Sequence, residues 1–138
     1  MARHVFRCPL RWADMDAFGH VNNVSFLRYL EEARIDFMFR LAQSEGGVLL
    51  RTVVARHEID YLRPLVHRHE PVIIESWLGG MTAASMIVKC EIKDDETLYA
   101  RASTVVVPYN LAEQRPRRIT AQERAFLEGY LDEGAVAA

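Results

Sequence analysis

Cysteine is scarce in these 138 residues: Cys8 and Cys90 are the two, and neither has the spacing of a metal site. Such a count fits a reducing compartment. Both fall in strand-like runs, so a buried, inert thiol is expected at each, with a disulfide as the alternative. Long apolar runs are missing as well. No stretch reaches the roughly 20 residues that a membrane helix needs, and the opening Met-Ala-Arg-His-Val-Phe-Arg has no apolar signal core. A cytoplasmic protein with no membrane partner is expected. Excess charge of one sign is also lacking. Seventeen Lys and Arg stand against 19 Asp and Glu, for a net charge of -2 and a pI near 6.2. That balance gives no general attraction to nucleic acid, although a local basic patch is compatible with it. There is no internal repeat, no low-complexity linker and no sign of a second domain. Residues 1–138 therefore read as one domain, with 132–138 as a frayed tail.

What is present is a globular composition, 50% hydrophobic and 26% charged, enough for one core without disulfide or structural metal. His4, Phe6, Cys8, Leu10 and Trp12 alternate with Val5, Arg7, Pro9 and Arg11, the pattern of a half-buried strand. Pro9 donates nothing to a ladder, so an edge or a bulge is expected there. Residues 13–23 are rich in Asp, Gly and Asn and read as a loop. From Val24 to Gln43, Phe26, Leu27, Leu30, Ala33, Phe37, Met38 and Leu41 recur at helical spacing. Val24, Ile35 and Phe39 widen that stripe, which predicts a deeply buried helix. Asn22 or Asn23 suits its N-cap, and Gly46-Gly47 suits its stop.

Strands follow at 53–62, 72–78, 85–92 and 98–107, the last two forming a hairpin around Asp94-Asp95-Glu96. Thr120 with Glu123 three residues on predicts a capping box for a short helix over 120–131. The class is α+β: an antiparallel sheet of about five strands packed on one long central helix. A sheet this small leaves an edge open, which favours a homodimer.

The loop running into the helix is where chemistry is expected. A helix N-terminus offers unpaired N–H groups and partial positive charge, which polarise a carbonyl and stabilise an oxyanion. A carboxylate beside it could attack that carbonyl or activate water. A thiolate leaves readily, so a thioester needs little acid assistance. Asp16, His20 and the backbone N–H groups around Asn23 would suffice. From spacing alone, an ordinary cap and turn remains the plainer reading of the same residues.

The run Arg11-Trp12-Ala13-Asp14-Met15-Asp16-Ala17-Phe18-Gly19-His20-Val21-Asn22-Asn23, followed by Tyr29-Leu30-Glu31-Glu32-Ala33-Arg34, resembles the 4-hydroxybenzoyl-CoA thioesterase group of the hotdog superfamily. The likeness continues more loosely through Tyr61-Leu62-Arg63-Pro64 to about Ile119. It implies a hotdog fold and hydrolysis of an acyl-CoA thioester, with no metal and no cofactor. Asp16 matches the catalytic carboxylate, as nucleophile or general base. Asn23 matches the helix-start residue whose N–H faces the thioester carbonyl. His20 matches the histidine of the plant acyl-ACP thioesterase pattern. A homodimer with joined sheets and a site that takes residues from both copies are implied too; the sequence does not decide between that dimer and a homotetramer. The plant enzymes carry Asn where Phe18 stands, and Phe18 also speaks against a hydratase. The stretch His67-Arg68-His69-Glu70 departs from the Gly-Asp usual before the third strand. Carrier-protein thioesters and a non-catalytic acyl-binding module are the alternative functions.

Around this core, Phe18, His57 and Arg63 are candidate substrate contacts, with a satisfied core histidine the plainer reading of His57. Arg117 and Arg118 suit coenzyme A phosphates, against a solvated turn. Asp14 is expected to cap the loop, Glu31 to pair with Arg34, and Trp12 and Trp77 to pack. His67 and His69 read as a solvated loop.

Overall fold

The computed structural model describes residues 2–134. Strands β1 (His4–Cys8), β2 (Thr52–Tyr61), β3 (Val72–Met81), β4 (Met86–Lys93) and β5 (Leu98–Asn110) form one sheet in the order β1-β3-β4-β5-β2, every neighbour antiparallel. A two-residue strand, β6 (Arg115–Pro116), turns back on the end of β5. The inner face is set by alternation. Val72, Ile74, Ser76 and Leu78 on β3, Met86, Val88, Cys90 and Ile92 on β4, and Ala100, Ala102, Thr104 and Val106 on β5 are buried.

One helix fills the hollow of this sheet. It begins as α1 (Asn23–Ile35), continues as a π-helical stretch over Asp36–Leu41, and closes as α2 (Ala42–Gly46). Phe26, Tyr29, Leu30, Ala33, Phe37, Met38 and Ala42 are buried against the strands. Each large apolar side chain so buried contributes about 1.5–3 kcal/mol. The ends follow local rules. Asn22 is the N-cap, its side chain accepting from the Val24 amide at 2.8 Å. Gly47 closes the C-terminus at φ 66°, the left-handed conformation that favours glycine. At the π-helical stretch, buried His4 stacks on Phe37, its Nε2 lying 2.7 Å from Asp36, which also accepts from Arg40. Helix α3 (Ala121–Glu128) opens with the expected Thr120–Glu123 capping box and lays Phe126 and Leu127 over the end of the long helix. This is the hotdog arrangement expected from the sequence.

Several details differ from the sequence reading. The first strand stops at Cys8: the chain turns at Pro9 into a 3-10 turn over Trp12–Asp14, so Trp12 is 75% exposed and packs no core. Val24, Ile35 and Phe39 are exposed rather than widening the buried stripe, because the sheet covers only one side of the helix. Strand β2 is an edge, and most of it is exposed on both faces. Cys8 and Cys90 are the buried free thiols expected, burial pushing them up to about 12 and about 11. Of the tail, Asp132 donates its N–H to Leu78 at 2.8 Å, and residues 135–138 lie outside the described residues. Among the described residues, no helix is long and apolar enough to cross a membrane.

Gly46 sits where α2 meets α3. A Cβ there would stand 2.8 Å from the Phe126 Cβ. Alanine normally stabilises a helix by up to about 1 kcal/mol over glycine. Here the clash is expected to reverse the sign, so Gly46→Ala should lower stability by about 1–3 kcal/mol in urea unfolding.

Candidate active site

The loop before α1 is built around two aspartates in opposite situations. Asp14 is buried and surrounded by donors. The Tyr29 hydroxyl donates to it at 2.7 Å, the Arg11 guanidinium at 3.1 Å and the Arg11 amide at 3.2 Å. Its own carbonyl accepts from the Asn22 amide at 2.8 Å, which brings the two ends of the loop together. Burial pushes the Asp14 carboxyl up, but Tyr29 and Arg11 together hold it below the usual carboxylate range. The expected capping role is therefore what Asp14 performs.

Asp16 lies two residues on, half-buried, at the start of a tight reversal that Met15 and Val21 close as an antiparallel bridge. The Asp16 amide donates to the His20 carbonyl at 2.8 Å, and the Gly19 amide to the Asp16 carbonyl at 3.1 Å. Gly19 takes φ +78° there with open space around it, so backbone conformation and not crowding calls for glycine. One carboxylate oxygen of Asp16, Oδ1, accepts from the Phe18 amide at 2.9 Å and the His20 amide at 3.4 Å. No donor among the described residues occupies Oδ2.

The start of α1 is equally fixed. Asn22 takes the Val24 amide with its side chain and the Ser25 amide, at 2.9 Å, with its carbonyl. The N–H left without an acceptor among the described residues is that of Asn23. The Val21 amide donates to the Leu65 carbonyl at 2.7 Å, which holds the loop against the chain leaving β2. Between these pieces lies a cavity of about 240 Å³, walled by Asp16, His20, Phe26, Tyr61, Arg63 and Leu65 among others. Asp16 lines this cavity, and Asn23 is tied to its wall through the Tyr61 hydroxyl; a carboxylate oxygen without a donor and a helix-start N–H without an acceptor are the elements needed to attack a carbonyl and hold the oxyanion that forms.

Asp16, His20 and Arg63 are thus brought together with the start of α1. Phe18 is not: it is 85% exposed at the loop tip. His57 sits mid-strand on β2, its Nδ1 lying 2.9 Å from the Thr104 hydroxyl oxygen. It is an exposed edge residue in this chain rather than a core histidine. Arg117 and Arg118 lie at the other end of the sheet, where the Arg117 amide donates to the Pro108 carbonyl. At about 3.4 Å per residue, the run of β5 from Ala100, opposite Tyr61, to Pro108 spans roughly 27 Å. Arg117 is engaged: its guanidinium grips buried Glu123 with bonds of 2.8 and 2.7 Å. Arg118 is exposed. Arg34 lies 4.0 Å from Glu31, the loose pairing expected.

Tyr29, Tyr61 and Leu65 are site-building residues that the sequence reading did not single out. Tyr29 stood inside the helix motif, where its apolar ring accounted for it. Tyr61 ends an alternating strand just before Arg63-Pro64, the one local hint that its side chain faces the loop.

Comparison with known proteins places the chain among thioesterases. The family model of the thioesterase-like superfamily matches residues 10–127. A thioesterase from Thermus thermophilus, solved in complex with coenzyme A and Zn, is 30% identical; the match covers 91% of this chain and 92% of that one, with a TM-score of 0.77. A predicted thioesterase from Bacillus stearothermophilus shares the fold at a TM-score of 0.84 and 20% identity, covering 97% of this chain and all of that one. The uncharacterised Bacillus subtilis protein YsmA is 38% identical over 64 residues, 46% of this chain. The matched stretch spans 44% of that relative's length.

Removing the Tyr29 hydroxyl leaves the Asp14 charge buried with one donor fewer. Tyr29→Phe should lower stability at pH 7 by about 1.5–3 kcal/mol in thermal or urea unfolding. The sign with pH follows from the depressed Asp14 carboxyl. Its contribution is present above the ordinary value of about 3.9 and is lost as pH falls through the lower folded value. The gap between Tyr29→Phe and wild type should therefore narrow on acidification below about pH 4.

Proposed function

The chain belongs to the thioesterase-like superfamily, and on that premise we propose that it hydrolyses an acyl-CoA thioester to the free acid and coenzyme A, with Asp16 as the catalytic carboxylate. The observation that carries this reading is the free Oδ2 of Asp16 beside the cavity at the start of α1. Asp16 works in one of two ways. As nucleophile, it adds to the thioester carbonyl, the thiolate leaves, and water opens the resulting mixed anhydride. As general base, it takes a proton from the water that adds. In both, the Asn23 N–H receives the developing oxyanion. His20, on the cavity wall, orients the reacting groups. Arg63 borders the cavity, and Phe18 and His57 meet parts of the substrate that extend beyond it. The coenzyme A complex of the Thermus thermophilus neighbour supports the choice of carrier, and a cytoplasmic setting is consistent with two free thiols.

We further read the protein as a homodimer joined through β2, with a tetramer as a further step. This edge strand is ten residues long and exposes Val53, Val54 and Tyr61. An unprotected edge of that length invites pairing. A two-fold axis makes the pairing antiparallel, so the Thr52 end of a second copy lies beside the Tyr61 end of the first. Thr52 pairs with Pro108, the residue that anchors Arg117. The second copy's Arg118 is thereby carried toward the Asp16 end. We assign it, rather than the engaged Arg117, to the coenzyme A phosphates.

Asp16→Asn keeps the Oδ1 acceptor that the Phe18 and His20 amides need, so fold and dimer should persist. Thiol release from acetyl-, hexanoyl-, palmitoyl- and benzoyl-type CoA should fall by about 10²-fold or more; full turnover in this variant would remove Asp16 from the chemistry. His20→Ala should have a smaller effect. Wild type inactive on all four esters would redirect the search to carrier-protein thioesters, then to an acyl-binding role. Arg118→Ala should raise KM several-fold for the CoA substrate and leave a pantetheine thioester unaffected; equal effects on both would dismiss the phosphate contact.

A further inference from the structure

We infer that Tyr61 is a positioning residue for hydrolysis, locking the first turn of α1 and with it the Asn23 N–H next to the cavity that Tyr61 lines; this rests on the roles proposed above for Asp16 and Asn23.

Tyr61 is the last residue of β2, and its place is fixed by the strands. It pairs with Ala100, and the next two amides, of Leu62 and Arg63, both donate to the Tyr99 carbonyl at 2.8 and 3.1 Å. From that anchor its ring stands edge-on to Phe26 at 5.4 Å and forms part of the wall it shares with Asp16 and His20. Its hydroxyl donates to the Asn23 carbonyl at 3.0 Å.

That bond adds a tie from outside the helix to a carbonyl at its first residue. The peptide joining Asn23 to Val24 is gripped at both ends: its N–H by the Asn22 side chain at 2.8 Å and its carbonyl by Tyr61. The peptide before it, joining Asn22 to Asn23, has its carbonyl taken by Ser25. Asn23 is thus flanked by two fixed peptide planes, and its own N–H is the donor left over. First turns of helices otherwise fray, because their N–H groups have no partner in the preceding turn. A donor that must meet a developing charge at about 2.7–3.1 Å gains from being fixed beforehand. Burial raises the Tyr61 phenol above its ordinary value, so the hydroxyl stays a donor at neutral pH.

Tyr61→Phe keeps the ring against Phe26 and removes only the hydroxyl. Thiol-release kinetics should show kcat lowered about tenfold with KM within about twofold, the pattern of an interaction felt in the transition state. The melting temperature should stay close to wild type. Amide hydrogen exchange supplies a readout that needs no turnover: the Val24 N–H should exchange several-fold faster in Tyr61→Phe, with amides beyond the first turn of α1 unchanged. Wild-type kcat, a matching rise in KM, or unaltered Val24 exchange would each overturn the role. Asp16→Asn is run alongside. Turnover retained in that variant defeats the proposed site itself, whereas turnover lost there but intact in Tyr61→Phe defeats only the assignment of Tyr61.

Discussion

The geometry at the start of α1 depends on one buried aspartate. The Asp14 carboxylate ties together the 3-10 turn through Arg11 and the helix through Tyr29, and its backbone carbonyl takes the loop's return through the Asn22 amide. The hydrophobic core reaches this loop only through Met15, while Phe18 at its tip stays exposed, so apolar burial alone does not fix it. Hydrogen bonds to a charged group are worth about 1.5–3 kcal/mol each, enough to hold a segment that would otherwise sample many conformations. The Val21–Leu65 bond then sets the loop's height above the sheet. With these ties in place, Asp16 and Asn23 have fixed positions relative to each other.

Two aspartates separated by one methionine are therefore not interchangeable. Asp14 has its acceptor sites filled and is sealed from water; it serves the fold. Asp16 has one oxygen anchored by its own loop and one open to a cavity. Anchoring one oxygen fixes the carboxylate plane, while the other oxygen is left without a protein donor among the described residues. The chain thus separates a fully bonded carboxylate from a half-open one within three residues, and it does so by burial and donor count rather than by residue type.

Much of this was legible in the sequence because it is local. The N-cap at Asn22, the glycine stop at Gly47, the Thr120–Glu123 box and the alternation of β3 to β5 each follow from a few neighbouring residues. The aspartate loop was visible by resemblance, and spacing alone left it an ordinary cap. What stayed hidden depends on partners far along the chain. Arg117 looked free until Glu123 was seen to claim it, and Tyr61 looked like one more strand residue until its hydroxyl was seen against Asn23. The exposure of Val24, Ile35 and Phe39 was missed for a related reason: a helical stripe tells which residues are apolar, not how much sheet is there to cover them.

The π-helical stretch from Asp36 to Leu41 leaves no mark in composition, yet it sets the angular phase of everything after it. A π-helical turn holds one residue more than an α-helical one, and each α-helical residue rotates the chain by about 100°. Gly46 faces Phe126 of α3 with that stretch in place. Straightening this stretch into an α-helix with the same number of residues would rotate α2 by about 100°, swinging the glycine contact away from Phe126. In this fold the stretch acts as a vernier, trading a single residue of length for the orientation that lets the two helices meet.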